Sequence, residues 1–173
     1  MKRCMSFAWM GVGLVALSLP ALMTMPLTIV YNPSDSAPRG WYRIGHLDHA
    51  KSMQVGGIVL ATIPADAAAL AARRGYLPTG VPILKRIGAV APQSVCVREH
   101  TVYIDGAAVA TVRTLDGMQR PLPVWRQCRV LADNELFLLG VTHPASFDSR
   151  YFGPIATSAV VGIARPIWTW RAP

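Results

Sequence analysis

A mainly β domain tethered by one N-terminal membrane-spanning helix is the fold the sequence predicts. Three observations predict it. Lys2 and Arg3 open the chain and are followed by an uncharged, mostly apolar run that reaches Asn32. Beyond that run, short apolar or alternating segments recur between Gly, Pro, Asn and Asp turn formers, the pattern of strands. Only one segment, opening at Pro64, reads as helix. A chain of 173 residues is the length of one domain. Its 52% hydrophobic and 15% charged residues exclude disorder, which needs the opposite balance. There is no Gly-X-Y period, no heptad run and no internal repeat. Residues 1–26 therefore read as a short tip and anchor, and 27–173 as one exported domain.

The anchor is justified first. A spanning helix needs about 20 apolar residues at about 1.5 Å rise each. The run supplies Phe7, Trp9, Val12, Leu14, Val15, Leu17 and Leu19, and Pro20 and Pro26 end it. The helix is expected within residues 4–19, with an extended exit through 24–31. The positive charges precede the span, so they stay in the cytoplasm and the remainder is exported. A cleaved signal peptide is the alternative, but Leu19-Pro20-Ala21 and Ala21-Leu22-Met23 are poor cleavage sites. Export bears on Cys96 and Cys128, because two cysteines in an oxidising compartment usually pair. The bridge would close a loop of roughly 30 residues, worth on the order of 3 kcal/mol. A catalytic thiol is the competing reading, but there is no C-x-x-C and no histidine beside either cysteine.

The exported elements follow in order. Residues 27–45 read as strand, tight loop and strand, the loop being Asn32-Pro33-Ser34-Asp35-Ser36-Ala37-Pro38-Arg39-Gly40. Residues 55–63 are a further strand. Pro64 starts a helix with Asp66 in its first turn and Arg73 and Arg74 in its last, and Gly75 stops it, which suits the helix dipole. Strands are expected at 81–90, 95–97, 101–104, 107–112, 135–141 and 159–164. Asp105-Gly106 is a hairpin-turn signal.

Charge narrows the partners. The net charge is +8, carried by 14 arginines and 3 lysines with no cluster of four basic residues. That distribution fits contact with anionic membrane lipid rather than nucleic acid. Metal chemistry has little support: His46 and His49 lie in a polar turn, His100 and His143 are isolated, and there is no H-E-x-x-H. No cofactor or metal is expected.

Lysine usage is more informative. Arginine cannot give up its proton near neutrality, whereas a desolvated lysine can and so can act as a base. Of the exported lysines, Lys51 sits in a polar loop. Lys85 alternates with Ile83 and Ile87 and shares their strand face. The alternative for Lys85 is an edge-strand gatekeeper. A nucleophile would be a serine in an exposed loop. Ser34 and Ser36 are spaced so that one attacks while the other donates to the developing oxyanion; ordinary turn chemistry also accounts for them. The segment 144–154 packs Ser146, Phe147, Asp148, Ser149, Arg150 and Tyr151 into a loop. It offers a carboxylate–guanidinium pair and hydroxyls to hold an amine, or is a structural turn.

Together the three segments resemble the type I signal peptidases, and most closely their conjugative-transfer, TraF-type branch. The loop from Asn32 to Tyr42 is similar to that branch's nucleophile box, Leu84-Lys85-Arg86-Ile87-Gly88 to its lysine box, and Ser146 through Gly153 to its last box. Tyr103-Ile104-Asp105-Gly106 and Arg120-Pro121-Leu122-Pro123 are also similar. The order agrees, and so does the anchor. Ala37-Pro38 and the missing Pro-Gly-Asp tail after Gly88 depart from housekeeping signal peptidases and favour the conjugative branch.

The resemblance implies a signal-peptidase-like (LexA-like) catalytic domain of coiled antiparallel β-sheet, held periplasmic by a single pass through a bacterial inner membrane. It implies Ser36 as nucleophile, Lys85 as general base, Ser34 with Ser36 as the oxyanion hole, and Ser146, Asp148 and Arg150 as supports. The implied substrate is a signal-peptide-bearing or pilin-like precursor, released by water or cyclised by an amine. A non-enzymatic envelope component of a conjugation apparatus is the alternative function. A self-cleaving repressor of the LexA kind conflicts with the N-terminal span.

Overall fold

The computed structural model describes residues 28–45, 53–140 and 143–170. The expected membrane helix at 4–19 lies outside the described residues, as do Cys4, His46, His49 and Lys51. Among the described residues no helix is long and apolar enough to cross a membrane.

The chain runs β1 (Thr28–Asn32), β2 (Gly40–Gly45), β3 (Ile58–Ala61), α1 (Ala65–Arg73), β4 (Ile83–Val90), β5 (Ser94–Arg98), β6 (Thr101–Ile104), β7 (Ala107–Thr111), β8 (Cys128–Val130), β9 (Glu135–Leu139), α2 (Ser149–Phe152), β10 (Ile155–Ala156) and β11 (Val160–Thr169). The strands form a seven-stranded sheet, β1-β2-β11-β3-β4-β9-β10, and a four-stranded sheet, β7-β6-β5-β8. Every strand pair among the described residues is antiparallel. The domain is mainly β, as the sequence predicts.

Local chemistry explains the elements that were legible. Helix α1 is alanine-rich, the best helix former, and buries Ala67 and Ala71. Pro64 sits just before its first turn as the cap. At its end Gly75 adopts φ +71. The Gly75 amide donates to Ala72 O and the Tyr76 amide to Ala71 O, the paired bonds of a glycine-terminated helix. Asp105 and Gly106 both take positive φ, 49 and 82, as a tight hairpin between right-twisted strands requires.

Four elements differ from expectation. Strands β8 and β10 are three and two residues long, too short for a periodic signal. Strand β11 runs to Thr169 instead of ending at 164, passing Pro166 through a register shift between Pro166 and Trp168. Segment 144–154 is not wholly loop, because Asp148 accepts the Arg150 amide and caps the single turn of α2.

The described core falls into three clusters. Strand β9 is apolar on both faces. Phe137 and Leu139 pack with Val95, Val97, Val102 and Ile104 where the two sheets meet. Leu136 and Leu138 pack oppositely with Val59, Ile83, Ile87 and Val160. A strand buried on both faces reads as a continuous apolar run, which is what Leu136–Leu139 shows. The third cluster, Ala37, Tyr42, Leu60, Leu84 and Ala164, lies beneath the β1–β2 loop and joins it to β4.

Candidate active site

Strand β4 lies between β3 and β9 in the middle of the large sheet. This overturns the edge-strand reading of Lys85. Lys85 is only 5% exposed. Its Nζ donates to Ser146 Oγ at 2.5 Å. Burial pulls the Lys85 ammonium down to about 8, with Asp148 opposing that shift and Arg150 adding to it. A neutral amine is therefore accessible near physiological pH.

Ser36 is 7% exposed on the β1–β2 loop. Its hydroxyl lies 3.3 Å from the carbonyl of Leu84, the residue before Lys85, and 2.9 Å from Ser34 Oγ. The loop is held from below. Tyr42, fully buried, donates its hydroxyl to Pro38 O at 2.6 Å. At Gly40 a Cβ would strike the backbone of Trp168, so the chain must turn there on glycine. On the outer side Arg39 pairs with Asp35 at 2.6 Å.

The third segment builds a buried frame. Asp148 is 0% and Arg150 1% exposed. Arg150 Nε and Nη2 donate to the two Asp148 oxygens, each at 2.8 Å. The remaining guanidinium donors reach Thr111 O at 2.8 Å, Pro144 O at 3.1 Å and Ser146 O at 3.0 Å. Such full pairing is what makes a buried arginine tolerable. Asp148 Oδ2 also accepts the Gly140 amide at 2.7 Å. The frame thus fixes the Ser146 backbone on one side and the end of β9 on the other.

Ser34, Ser36, Lys85 and Ser146 open on one cleft of about 740 Å³. Its walls are mostly apolar, among them Leu60, Leu77, Ile83, Leu115 and Leu122. One wall comes from the segment between β7 and β8. Asp116 anchors that wall, accepting from the Tyr76 hydroxyl and, at 2.7 Å, from Arg120 Nε. Among the described residues no group of three or more His, Cys, Asp or Glu is placed to hold a metal ion. The arrangement joins a hydroxyl, a buried amine with a lowered proton affinity and an apolar groove. Those are the parts of acyl-transfer chemistry on an extended chain.

A sequence model of the signal peptidases, peptidase S26, matches residues 1–170. The chain belongs to that family. Within it, the chain is 33% identical over 167 residues to the conjugal transfer protein TraF of Agrobacterium tumefaciens, covering 90% of this chain and 92% of that protein. It is 32% identical over 171 residues to the TraF of Agrobacterium fabrum, covering 94% of each. A solved signal peptidase I from Enterococcus faecalis is 21% identical with a TM-score of 0.40, over 66% of this chain and 98% of that one.

In this peptidase S26 chain the structure brings together all six residues singled out in the sequence: Ser34, Ser36, Lys85, Ser146, Asp148 and Arg150. Cys96 and Cys128 lie apart from them, opposite one another on β5 and β8 and joined as a disulfide. Sequence reasoning missed two residues. Asn32, read there only as a turn former, is 4% exposed and bonds across the whole β1–β2 loop. Gly140 lies against Ser146, where any Cβ would overlap the serine side chain. Neither carries a local signal, since each is defined by what folds onto it.

Proposed function

We propose that this chain is a membrane-anchored serine endopeptidase that removes a signal or propeptide from an exported protein, most specifically a conjugative pilin precursor. The observation that carries the reading is the convergence of Ser36 and a buried Lys85 with a lowered proton affinity on one apolar cleft. The conjugal-transfer names of its relatives support the choice of substrate.

Neutral Lys85 takes the Ser36 proton, and Ser36 Oγ attacks the scissile carbonyl. The Ser36 backbone amide and the Ser34 hydroxyl hold the oxyanion; one such donor is typically worth about 100- to 1,000-fold in rate. Collapse of the intermediate passes the proton to the leaving amine and leaves an acyl-enzyme. Water, deprotonated by Lys85, then releases the product. An amine of the substrate in place of water closes a ring instead. Ser146 orients the Lys85 amine, and Asp148 with Arg150 fixes Ser146. The segment at 4–19 holds the domain on the periplasmic face of the inner membrane, where precursors emerge.

The test is co-expression of wild type, Ser36→Ala and Lys85→Arg with a pilin precursor from the same genetic neighbourhood, read by mass. Product is expected with wild type alone, and a further loss of one water marks cyclisation. Equal processing by Ser36→Ala overturns the reading.

A further inference from the structure

The β1–β2 loop folds back over Asn32. Asn32 Nδ2 faces three carbonyl oxygens, those of Ser34 at 3.0 Å, Ala37 at 3.0 Å and Pro38 at 3.2 Å. A carbonyl placed there would meet three others, so the nitrogen end of the amide is assigned by its surroundings. The oxygen end then faces Ser34 and accepts from its amide at 3.2 Å and its hydroxyl at 2.8 Å. Proton counting does the rest. Asn32 Oδ1 carries no hydrogen, so Ser34 must donate. A serine hydroxyl has one hydrogen, so Ser34 Oγ must accept in its contact with Ser36, whose own single hydrogen is then directed to Ser34 Oγ at 2.9 Å in preference to the more distant Leu84 carbonyl at 3.3 Å. The relay is polarised, running from Ser36 to Ser34 to Asn32.

We infer that Asn32 is a positioning residue that sets the direction of this relay and holds the Ser34 hydroxyl proton until the oxyanion forms. The inference rests on the serine-peptidase reading above. As Ser36 gives its proton to Lys85, Ser34 no longer receives a hydrogen bond, and its proton turns from Asn32 Oδ1 to the oxyanion. Asn32 acts through Ser34 and never touches the substrate. Its amide nitrogen keeps Ala37 and Pro38 turned inward, so the same side chain shapes the loop and orients the donor.

The experiment times cleavage of the pilin precursor by the full-length protein in membranes. The variants are Asn32→Ala, Ser34→Ala and the two combined, with Ser36→Ala as the blank. Asn32→Ala is expected to lower kcat by roughly 10- to 100-fold and to leave KM within about twofold, as loss of a transition-state interaction does. The combined variant is expected to lose less than about threefold more than the worse single variant, because both changes act on one hydroxyl. Independent, multiplying losses overturn the inference, as does a wild-type kcat in Asn32→Ala. Should Asn32→Ala fail to fold, the isosteric Asn32→Asp decides. Its carboxylate still accepts from Ser34 but repels the three carbonyls. Its rate relative to wild type should rise as pH falls and the new carboxyl gains a proton. A flat ratio overturns the inference. Equal cleavage by Ser36→Ala instead removes the peptidase reading itself, which separates the two failures.

Discussion

Lys85 on β4 and Ser146 before α2 are 61 positions apart in sequence, yet Lys85 Nζ donates to Ser146 Oγ at 2.5 Å. The amine is thereby aimed by a side chain whose own backbone is held by Arg150. Ser146→Ala removes the aim without removing the amine. On the proposed mechanism kcat should fall on the order of 100-fold with KM little changed, since a misplaced catalytic group costs about that much. Steady-state kinetics on a precursor peptide checks it. A variant with wild-type kcat would show that packing alone orients Lys85.

The lowered proton affinity of Lys85 predicts two pH dependences. Cleavage should rise with pH and level off above about 8, where the amine becomes neutral. Stability should also rise. The buried ammonium loses its proton near 8 in the folded protein and near its ordinary 10.5 in the unfolded one. Between those values the unfolded chain binds more protons, so unfolding becomes harder as pH increases. The full gain is on the order of 3 kcal/mol. Burial raises Tyr42 and Tyr151 above the ordinary tyrosine value, which acts in the opposite sense at higher pH. Urea unfolding from pH 7 to 10 should therefore show the rise in wild type and lose it in Lys85→Met. Parallel profiles for the two proteins would contradict the assignment.

Gly140→Ala tests the packing behind that contact. The added methyl would overlap the Ser146 side chain, with Asp148 Oδ2 close behind it. Neither neighbour has room to retreat, because Arg150 ties both. Overpacking of this kind costs about 1–3 kcal/mol. The expected result is a folded protein of lower Tm whose kcat falls as far as that of Ser146→Ala. An unchanged rate would mean that the 143–148 segment yields without moving Lys85.

These residues also mark how much was legible beforehand. Lys85 stood out because a lysine between Ile83 and Ile87 breaks an apolar face, and burial follows from that pattern. The Asp105-Gly106 turn and the alanine-rich α1 carry their geometry in their own residue types. Asn32 and Gly140 do not. The role of Asn32 exists only once carbonyls five and six positions later turn back onto it. Gly140 matters only because Ser146 folds against it. Strand β8 likewise needs its partner β5 to become a strand at all. Strand β11 outlasts its expected end because pairing with β2 overrides the local cost of Pro166.

Asp148→Ala probes the frame as a matter of stability. It would leave Arg150, 1% exposed, without its carboxylate. Breaking a buried pair from one side costs about 3–5 kcal/mol. Arg150 would keep the carbonyls of Thr111, Pro144 and Ser146, which puts the expected loss at the lower end of that range. Denaturant unfolding measures it, and a loss below about 1 kcal/mol would place the pair among ordinary surface bridges.

The disulfide reaches the cleft indirectly. Cys96 and Cys128 are 32 positions apart, and the loop they close contains Arg113, Leu115, Asp116 and Leu122 of the cleft wall. Replacing both with serine should lower stability by on the order of 3 kcal/mol. It should also raise KM more than it lowers kcat, because the wall loosens while Ser36, Lys85 and Ser146 lie outside the loop. Thiol titration of a Cys4→Ser protein, purified without reductant, should find no free thiol. Two free thiols would break the pairing. A KM unmoved by the double replacement would show that Asp116, through Tyr76 and Arg120, holds the wall unaided.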